Sequence, residues 1–385
     1  MPNDTLTSVG SSSPRRILIR GVNWLGDAVM STPALLRLRQ HFPDAWITLL
    51  THEKLHELWL KHPAINEVVT FAPGEGPLAI ARKLRAGNFD VALVLPNSPR
   101  SAMEVWLAGI PLRIGYARPW RNRFLTQAVP ARAGVARMQK LSVAEIRRRT
   151  AAVIPQPKQN VYSTSDHHLY EYLHLAAALG ADPTPLEPQV AIADEELRTA
   201  ASKFGLAEAL AKGRLLLGLN PGAEYGPAKR WPVERFAVAA REVQQQINCV
   251  WLILGGKGDR ELAAAVAHSM TQNVEDITPP LNLAGQTSLR ELCAVFKLCR
   301  VVLTNDTGPM HLAAALGTPV VVPFGSTSPE LTGPGLPGDT RHQLIKSDAP
   351  CSPCFLRECP IDFRCMHGIA VERVVEAIHL LLNPK

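Results

Sequence analysis

No stretch of this 385-residue chain approaches the roughly 18 consecutive apolar residues that cross a bilayer as a helix. Residues 1–14 are polar and serine-rich. They lack the apolar core of a signal peptide and are expected to be disordered. A disulfide framework is missing as well: seven cysteines are an odd number, in a chain far larger than stapled secreted domains. These absences lead to the expectation of a cytoplasmic protein. No basic run is interleaved with aromatics in a nucleic-acid motif, and no solenoid-type repeat occurs. Gly21 and Gly26 are not spaced as a dinucleotide fingerprint, which argues against a Rossmann dehydrogenase.

What is present is a globular composition, 46% hydrophobic and 19% charged, long enough for two domains of ordinary size. The net charge of +7 suits an anionic partner, either a phosphorylated substrate or an acidic membrane surface; nucleic acid ranks last.

The amino-terminal half alternates short apolar runs at 16–20, 47–50, 68–71 and 91–95 with helical stretches, the first at 28–42. Alternation of this kind specifies an α/β class with a parallel, doubly wound sheet. Ligands of such sheets lie at the carboxyl ends of the strands. Asp27, just after the first strand and its glycines, is placed to face a ligand there or simply to cap the helix that follows. Downstream, Arg113, Arg118, Arg121 and Arg123 gather around two aromatics. They read either as a solvated loop or as a groove for sugar acids and phosphates, which arginine grips bidentately. His167-His168 has the form of a metal pair but no third ligand at useful spacing, and is expected on the surface of a helix at 170–179.

Proline clusters stand at 155–157 and 183–188. The second marks a hinge, which divides the chain into domains 15–185 and 186–385. After a strand at 215–219, a Gly/Pro-rich loop ends in Lys229-Arg-Trp-Pro232. A cation at a strand's carboxyl end suits a diphosphate leaving group, and Lys229 is otherwise an ordinary surface lysine. After a strand at 250–254, a glycine-rich turn holds Asp259, a candidate for ribose hydroxyls. Residues 300–325 read as strand, loop, helix, strand, with Asp306, Thr307 and Gly308 at the helix start. Exposed N–H groups and the positive end of the helix dipole fit a phosphate there, and a plain N-cap accounts for the same residues. Cys351, Cys354, Cys359 and Cys365 form a Cys-rich segment. Four thiolates can hold tetrahedral zinc, but the spacing is not that of paired Cys-x2-Cys knuckles; the alternative is a set of reduced, partly buried thiols. Residues 369–382 form an amphipathic terminal helix.

Five segments carry a resemblance: Asn305-Asp-Thr-Gly-Pro-Met-His311 with Ala-Leu-Gly-Thr-Pro behind it, Gly26-Asp27 followed by Ser31-Thr-Pro-Ala-Leu35, Arg113-Ile-Gly-Tyr116, Lys229-Arg-Trp-Pro232, and Leu281 to Leu289. Together they resemble glycosyltransferase family 9, the lipopolysaccharide heptosyltransferases, over most of residues 16–370. The resemblance implies a GT-B fold, two Rossmann-like domains facing across a cleft, acceptor in the first and donor in the second, with the last helix packing back across. It implies inverting transfer of L-glycero-D-manno-heptose from ADP-heptose to the first heptose of a heptosyl-Kdo-lipid A acceptor. Asp27 is then the general base. Lys229, Thr307 and Gly308 stabilise departing ADP, Asp306 and His311 complete the nucleotide site, and Asp259 meets the ribose. No cofactor or metal is required, in keeping with the absence of an Asp-x-Asp motif. The Cys-rich segment is similar to that of the members adding the second heptose. Peripheral contact with the cytoplasmic face of the inner membrane follows from an anionic, membrane-borne acceptor. A first- or third-heptose transferase, a sugar epimerase of the same fold and a non-catalytic nucleotide-sugar sensor are the competing readings.

Overall fold

Short, β-branched, uniformly apolar runs are what a parallel strand covered by helices on both faces requires. The computed structural model describes residues 14–151, 162–272 and 277–383. The proline pair at 155 and 157, and all of the 1–14 segment but Pro14, lie outside the described residues. Among the described residues, β1 (Arg16–Arg20), β2 (Trp46–His52), β3 (Glu67–Phe71), β4 (Val91–Val94), β5 (Leu112–Tyr116) and β6 (Gln127–Val129) form one parallel sheet in the order β3-β2-β1-β4-β5-β6. Ile17, Leu18 and Ile19 at its centre are fully buried. A second parallel sheet repeats the plan: β7 (Leu215–Asn220), β8 (Cys249–Ile253), β9 (Leu281–Asn282), β10 (Val301–Thr304), β11 (Val320–Phe324) and β12 (Gln343–Lys346), in the order β12-β11-β10-β7-β8-β9. Each has the doubly wound order in which the first and fourth strands are neighbours.

The chain divides into two compact units. The first holds the described residues up to Asn23, Ser31–Ala133 and Glu171–Pro185; the second holds Trp24–Met30, Gly134–Tyr170 and the chain from Leu186 onward. Two segments expected within 15–185 therefore pack with the second unit. In the longer one, the Leu141 N–H donates to the Cys354 carbonyl at 3.1 Å, and His168 N–H donates to the Leu331 carbonyl at 2.9 Å. Ile146 shares an apolar cluster with Cys351 and Cys354, and Tyr162 meets Phe355 edge-on, ring centroids 5.7 Å apart.

His167 corrects the surface expectation for its pair. It is 1% exposed, its Nδ1 accepts from the Leu169 N–H at 3.1 Å, and its Nε2 lies 3.0 Å from the Gly333 carbonyl. Burial holds its pKa down to about 4. The terminal helix is Val371–Leu382. Its apolar stripe, Val374, Val375 and Ile378, is buried against the Val233–Gln246 helix and the sheet of its own unit. The helix carries enough apolar surface to complete that core, and burial there is its main stabilisation.

Candidate functional site

β7 and β10 are paired neighbours, with Thr304 opposite Asn220 at their carboxyl ends. The strand order reverses between them, so the loops that follow flank the crevice where ligands of such sheets bind. Buried amides lock the two loops together. Asn305, fully buried, accepts from the Trp231 N–H at 3.0 Å and donates to the Pro221 carbonyl at 2.8 Å. Asn220 donates to the Leu254 carbonyl at 2.9 Å. Trp231 is itself anchored, with its indole N–H on the Ile369 carbonyl at 3.2 Å. Asn305 is quoted in the motif above, but its role depends on backbone groups more than 70 residues away, which no local pattern reveals.

This frame sets Lys229, in the short turn Pro227–Lys229. Its Nζ lies 2.7 Å from Asp306 Oδ2, with the two side chains 13% and 4% exposed. The Thr327 hydroxyl donates to the same carboxylate oxygen at 2.6 Å. Lys229 also stands over the Tyr225 ring, 4.9 Å from its centroid. Asp306 is thus engaged with Lys229 and Thr327, an arrangement that aims the ammonium. Thr327 stands 21 residues from Asp306 in the chain, and no local pattern marks it as a partner.

The Gly308–Ala315 helix begins at Thr307, whose side chain makes no capping hydrogen bond. With Asp306 turned to Lys229, the arrangement is not that of a side-chain N-cap. An uncapped helix start beside a cation is a favourable place for an anion. The first helix of the chain, Leu25–His41, starts three residues earlier than expected, so Asp27 lies inside its first turn. That turn groups with the second unit. Gly26 lies against His311, and a Cβ there would come 2.8 Å from the imidazole Cδ2; Leu25 Cβ is equally close to a Cβ built on Gly308. Asp27 therefore neighbours the start of the Gly308–Ala315 helix. His311 is 5% exposed, and burial, opposed by Asp306, holds its pKa down to about 3. It packs as a neutral ring.

Asp259 follows β8. Its Oδ2 accepts from the Gly256 N–H at 2.9 Å, and its carboxylate lies against Gly222, just after β7. The loop after β9 adjoins the same turn: Arg260 donates to the Gly285 carbonyl at 3.0 Å.

The four arginines separate. Arg121 is fully buried and donates to the Tyr116 carbonyl at 2.9 Å and the Val94 carbonyl at 3.1 Å. Arg113 donates to the Phe124 carbonyl at 2.8 Å and also to the Ile110 carbonyl. Both brace their loop from within, because strand-end carbonyls need donors. Arg118 is half-buried, and Arg123 is exposed.

The zinc reading of Cys351, Cys354, Cys359 and Cys365 is not borne out by their arrangement. Among the described residues no group of three or more His, Cys, Asp or Glu side chains is placed to hold a metal ion. Cys351 and Cys354 pack with Leu141, Ile146, Leu356 and Ile361, and burial pushes the Cys365 thiol up to about 12. Their segment has a different use. The Arg357 Nε donates to the Tyr225 carbonyl at 2.6 Å, Tyr225 OH donates to the Phe355 carbonyl at 3.0 Å, and Ala228 N–H donates to the Arg357 carbonyl at 3.0 Å. The segment buttresses the Lys229 loop.

A family model described as glycosyltransferase family 9 (heptosyltransferase) matches residues 78–363. The chain is 30% identical to lipopolysaccharide heptosyltransferase 2 of Escherichia coli strain K12 over 332 residues, 83% of this chain and 85% of that one. It is 30% identical to lipopolysaccharide heptosyltransferase 2 of Salmonella typhimurium over 96% of this chain and 99% of that one. The solved structure of E. coli ADP-heptose lps heptosyltransferase II matches 95% of this chain and 98% of its own, with 26% identity and a TM-score of 0.74. The two doubly wound sheets are those of the GT-B fold. With the family model, the sequence relatives and the solved structure in agreement, this chain is a glycosyltransferase and belongs to family 9, the heptosyltransferases.

Proposed function

We propose that the chain transfers L-glycero-D-manno-heptose from ADP-heptose to the first heptose of the lipopolysaccharide inner core, by a single displacement with inversion. The observation that carries this reading is the Lys229–Asp306–Thr327 cluster at the uncapped start of the Gly308–Ala315 helix, with Asp27 beside it. Asp27 takes the proton from the acceptor hydroxyl as that oxygen bonds to the anomeric carbon. The bond from that carbon to the ADP oxygen breaks, and ADP leaves with the electron pair. Lys229 and the helix N–H groups stabilise its developing charge. Asp306 holds the ammonium in place until the diphosphate enters. His311 and Asp306 line the nucleotide, and Asp259, between the loops after β7 and β8, meets the ribose. These positive groups supply what a divalent cation supplies in other glycosyltransferases, so the reaction requires neither metal nor cofactor.

Arg118 and Arg123 are left to meet the acceptor's phosphates and sugar acids. The acceptor, heptosyl-Kdo-lipid A, is anionic and membrane-borne, so the protein works peripherally at the cytoplasmic face of the inner membrane, held in part by salt-sensitive attraction. No helix among the described residues is long and apolar enough to cross a membrane.

The deciding experiment measures ADP release from ADP-heptose with acceptors carrying one heptose or none. Release that depends on the one-heptose acceptor upholds the reading. Release with the heptose-free acceptor moves the chain to the first-heptose reaction. Tight ADP-heptose binding without release on either would favour a sensor, and product of retained anomeric configuration would overturn the single displacement.

A further inference from the structure

Trp120 is 76% exposed, and its backbone has φ +64°, a left-handed conformation that a bulky side chain adopts only under constraint. Burial of the indole does not offset that strain. The ring instead stands beside Arg123, whose guanidinium carbon is 5.2 Å from its centroid. The same guanidinium lies 5.8 Å from the Phe124 ring. Phe124 in turn tilts against Trp106, with centroids 5.4 Å apart. Trp106, in the last turn of the Pro99–Leu107 helix, is 46% exposed. Two separate elements of the first unit thus join Trp120, Arg123, Phe124 and Trp106 into one continuous surface strip.

The strip is held rigidly from beneath. Buried Arg121 ties its loop to the ends of β4 and β5, the Arg113 guanidinium takes the Phe124 carbonyl, and the Arg118 N–H donates to Asn122 Oδ1 at 2.9 Å. The stretch of chain that carries most of it is of one sign: residues 105–133 contain five arginines, Arg113 and Arg121 among them turned onto carbonyls, and no aspartate, glutamate or lysine. Single exposed aromatics are ordinary. Two exposed indoles linked through an arginine, in a carboxylate-free stretch, call for an anionic partner with an apolar layer behind its charge. Tryptophan settles at the boundary between lipid headgroups and acyl chains, where its body is apolar and its N–H stays wet, and arginine pairs with lipid phosphate.

We infer that the strip formed by Trp106, Trp120, Arg123 and Phe124 docks the protein on an anionic bilayer, with both indoles at the headgroup boundary and Arg123 on lipid phosphate. The inference rests on the membrane reading above and names the surface that carries it.

The test is sedimentation of the full chain with acceptor-free vesicles of phosphatidylglycerol in phosphatidylcholine, against vesicles of phosphatidylcholine alone. The wild type partitions to the anionic vesicles at low salt and leaves them at high salt. Trp120→Ala and Trp106→Ala each lower that partition by about ten-fold, about 1.4 kcal/mol. A brominated lipid quenches tryptophan emission less in Trp120→Phe than in wild type. Trp106→Ala turns over a delipidated acceptor at the wild-type rate. If both alanine variants partition like wild type, or if quenching is unchanged by Trp120→Phe, the strip is not the docking surface. Absence of wild-type binding to anionic vesicles overturns the membrane reading and this one together, as does salt-sensitive binding to single-stranded nucleic acid instead. Failure of the wild type to release ADP from ADP-heptose on any of the acceptors refutes the transferase reading, and the partition data still decide this one.

Discussion

In the proposed reaction Lys229 starts from an ion pair rather than from solvent. Asp306 and the Thr327 hydroxyl fix where the ammonium points, so under the proposed function little reorganisation would remain when a diphosphate arrives. Replacing Lys229 by Ala should lower kcat by about 10²–10³, the usual cost of losing one preorganised stabiliser of a leaving group, and a loss under three-fold would remove it from that role. Thr327→Val takes away a hydrogen bond to a charged carboxylate, worth about 1.5–3 kcal/mol. It is expected to lower kcat/KM at least ten-fold, while Thr327→Ser retains activity; equal loss in both variants would mean that packing, not the hydroxyl, matters. Asp27→Ala should fold and bind ADP yet lose about 10²–10⁴ in turnover. Near-normal heptose transfer by this variant would exclude Asp27 as the base.

At the scale of elements, loops at the strand ends of each unit rest on groups held below them. At the end of β1, Arg20 is 2% exposed; its Nε lies 2.8 Å from Glu104 Oε2, and its guanidinium sits over Phe71, 4.6 Å from the ring centroid. Glu104, fully buried, also accepts from Arg100 at 3.1 Å. Removing the acid leaves a guanidinium buried without its counter-charge, which typically costs about 3–5 kcal/mol. Glu104→Ala should therefore lower the unfolding free energy of the first unit by about that amount, read as a lower denaturant midpoint at unchanged slope. An unchanged midpoint would show that water replaces the carboxylate at no cost. The second unit has its counterpart at Gly226, where φ is +153° and a Cβ would run into the Arg357 carbonyl. Only glycine fits there, and Lys229 follows three residues later.

For the whole molecule, acid stability depends on histidines that folding buries. His62, His167 and His342 are held down to about 4, and His311 to about 3, in each case chiefly by burial. Their folded pKa values lie below the ordinary 6.5, so the unfolded chain takes up protons first as the pH drops. Their contribution is intact above pH 6.5 and declines from there toward about 4, by up to about 1.4 kcal/mol per pH unit for each residue. The melting temperature should fall between pH 6.5 and 5, before most carboxylates titrate, and His167→Asn should reduce the slope. A flat profile over that window would mean that these rings gain a proton without unfolding. Chelation with EDTA is expected to leave turnover unchanged; activity lost to EDTA and restored by a divalent cation would refute the metal-free reaction.

The central strands of both sheets were legible in the chain because parallel strands buried on two faces must be short, apolar and punctuated by glycine and proline, all of which are local properties; β5, β6, β9 and β12 were not legible as strands. Asp27, Lys229, Asp306, Thr307 and Gly308 were legible as candidates partly because they sit at strand ends and helix starts, where ligands of such sheets bind, and partly through the family resemblance, which for Asp27 and Lys229 outweighed a plain cap and a plain surface lysine. What stayed hidden depends on residues far apart in the chain. Arg113 and Arg121 look like anion ligands by composition, and only the folded loop shows their donors turned onto carbonyls. His167 carries no mark of burial in its neighbours. The helix at Leu25 begins before its sequence signal because Gly26, a poor helix former, is the residue that fits against His311. Periodicity and turn chemistry are written residue by residue, so they fix elements and their order. Burial, counter-charge and close approach belong to pairs, and the pairs exist only once the chain has packed.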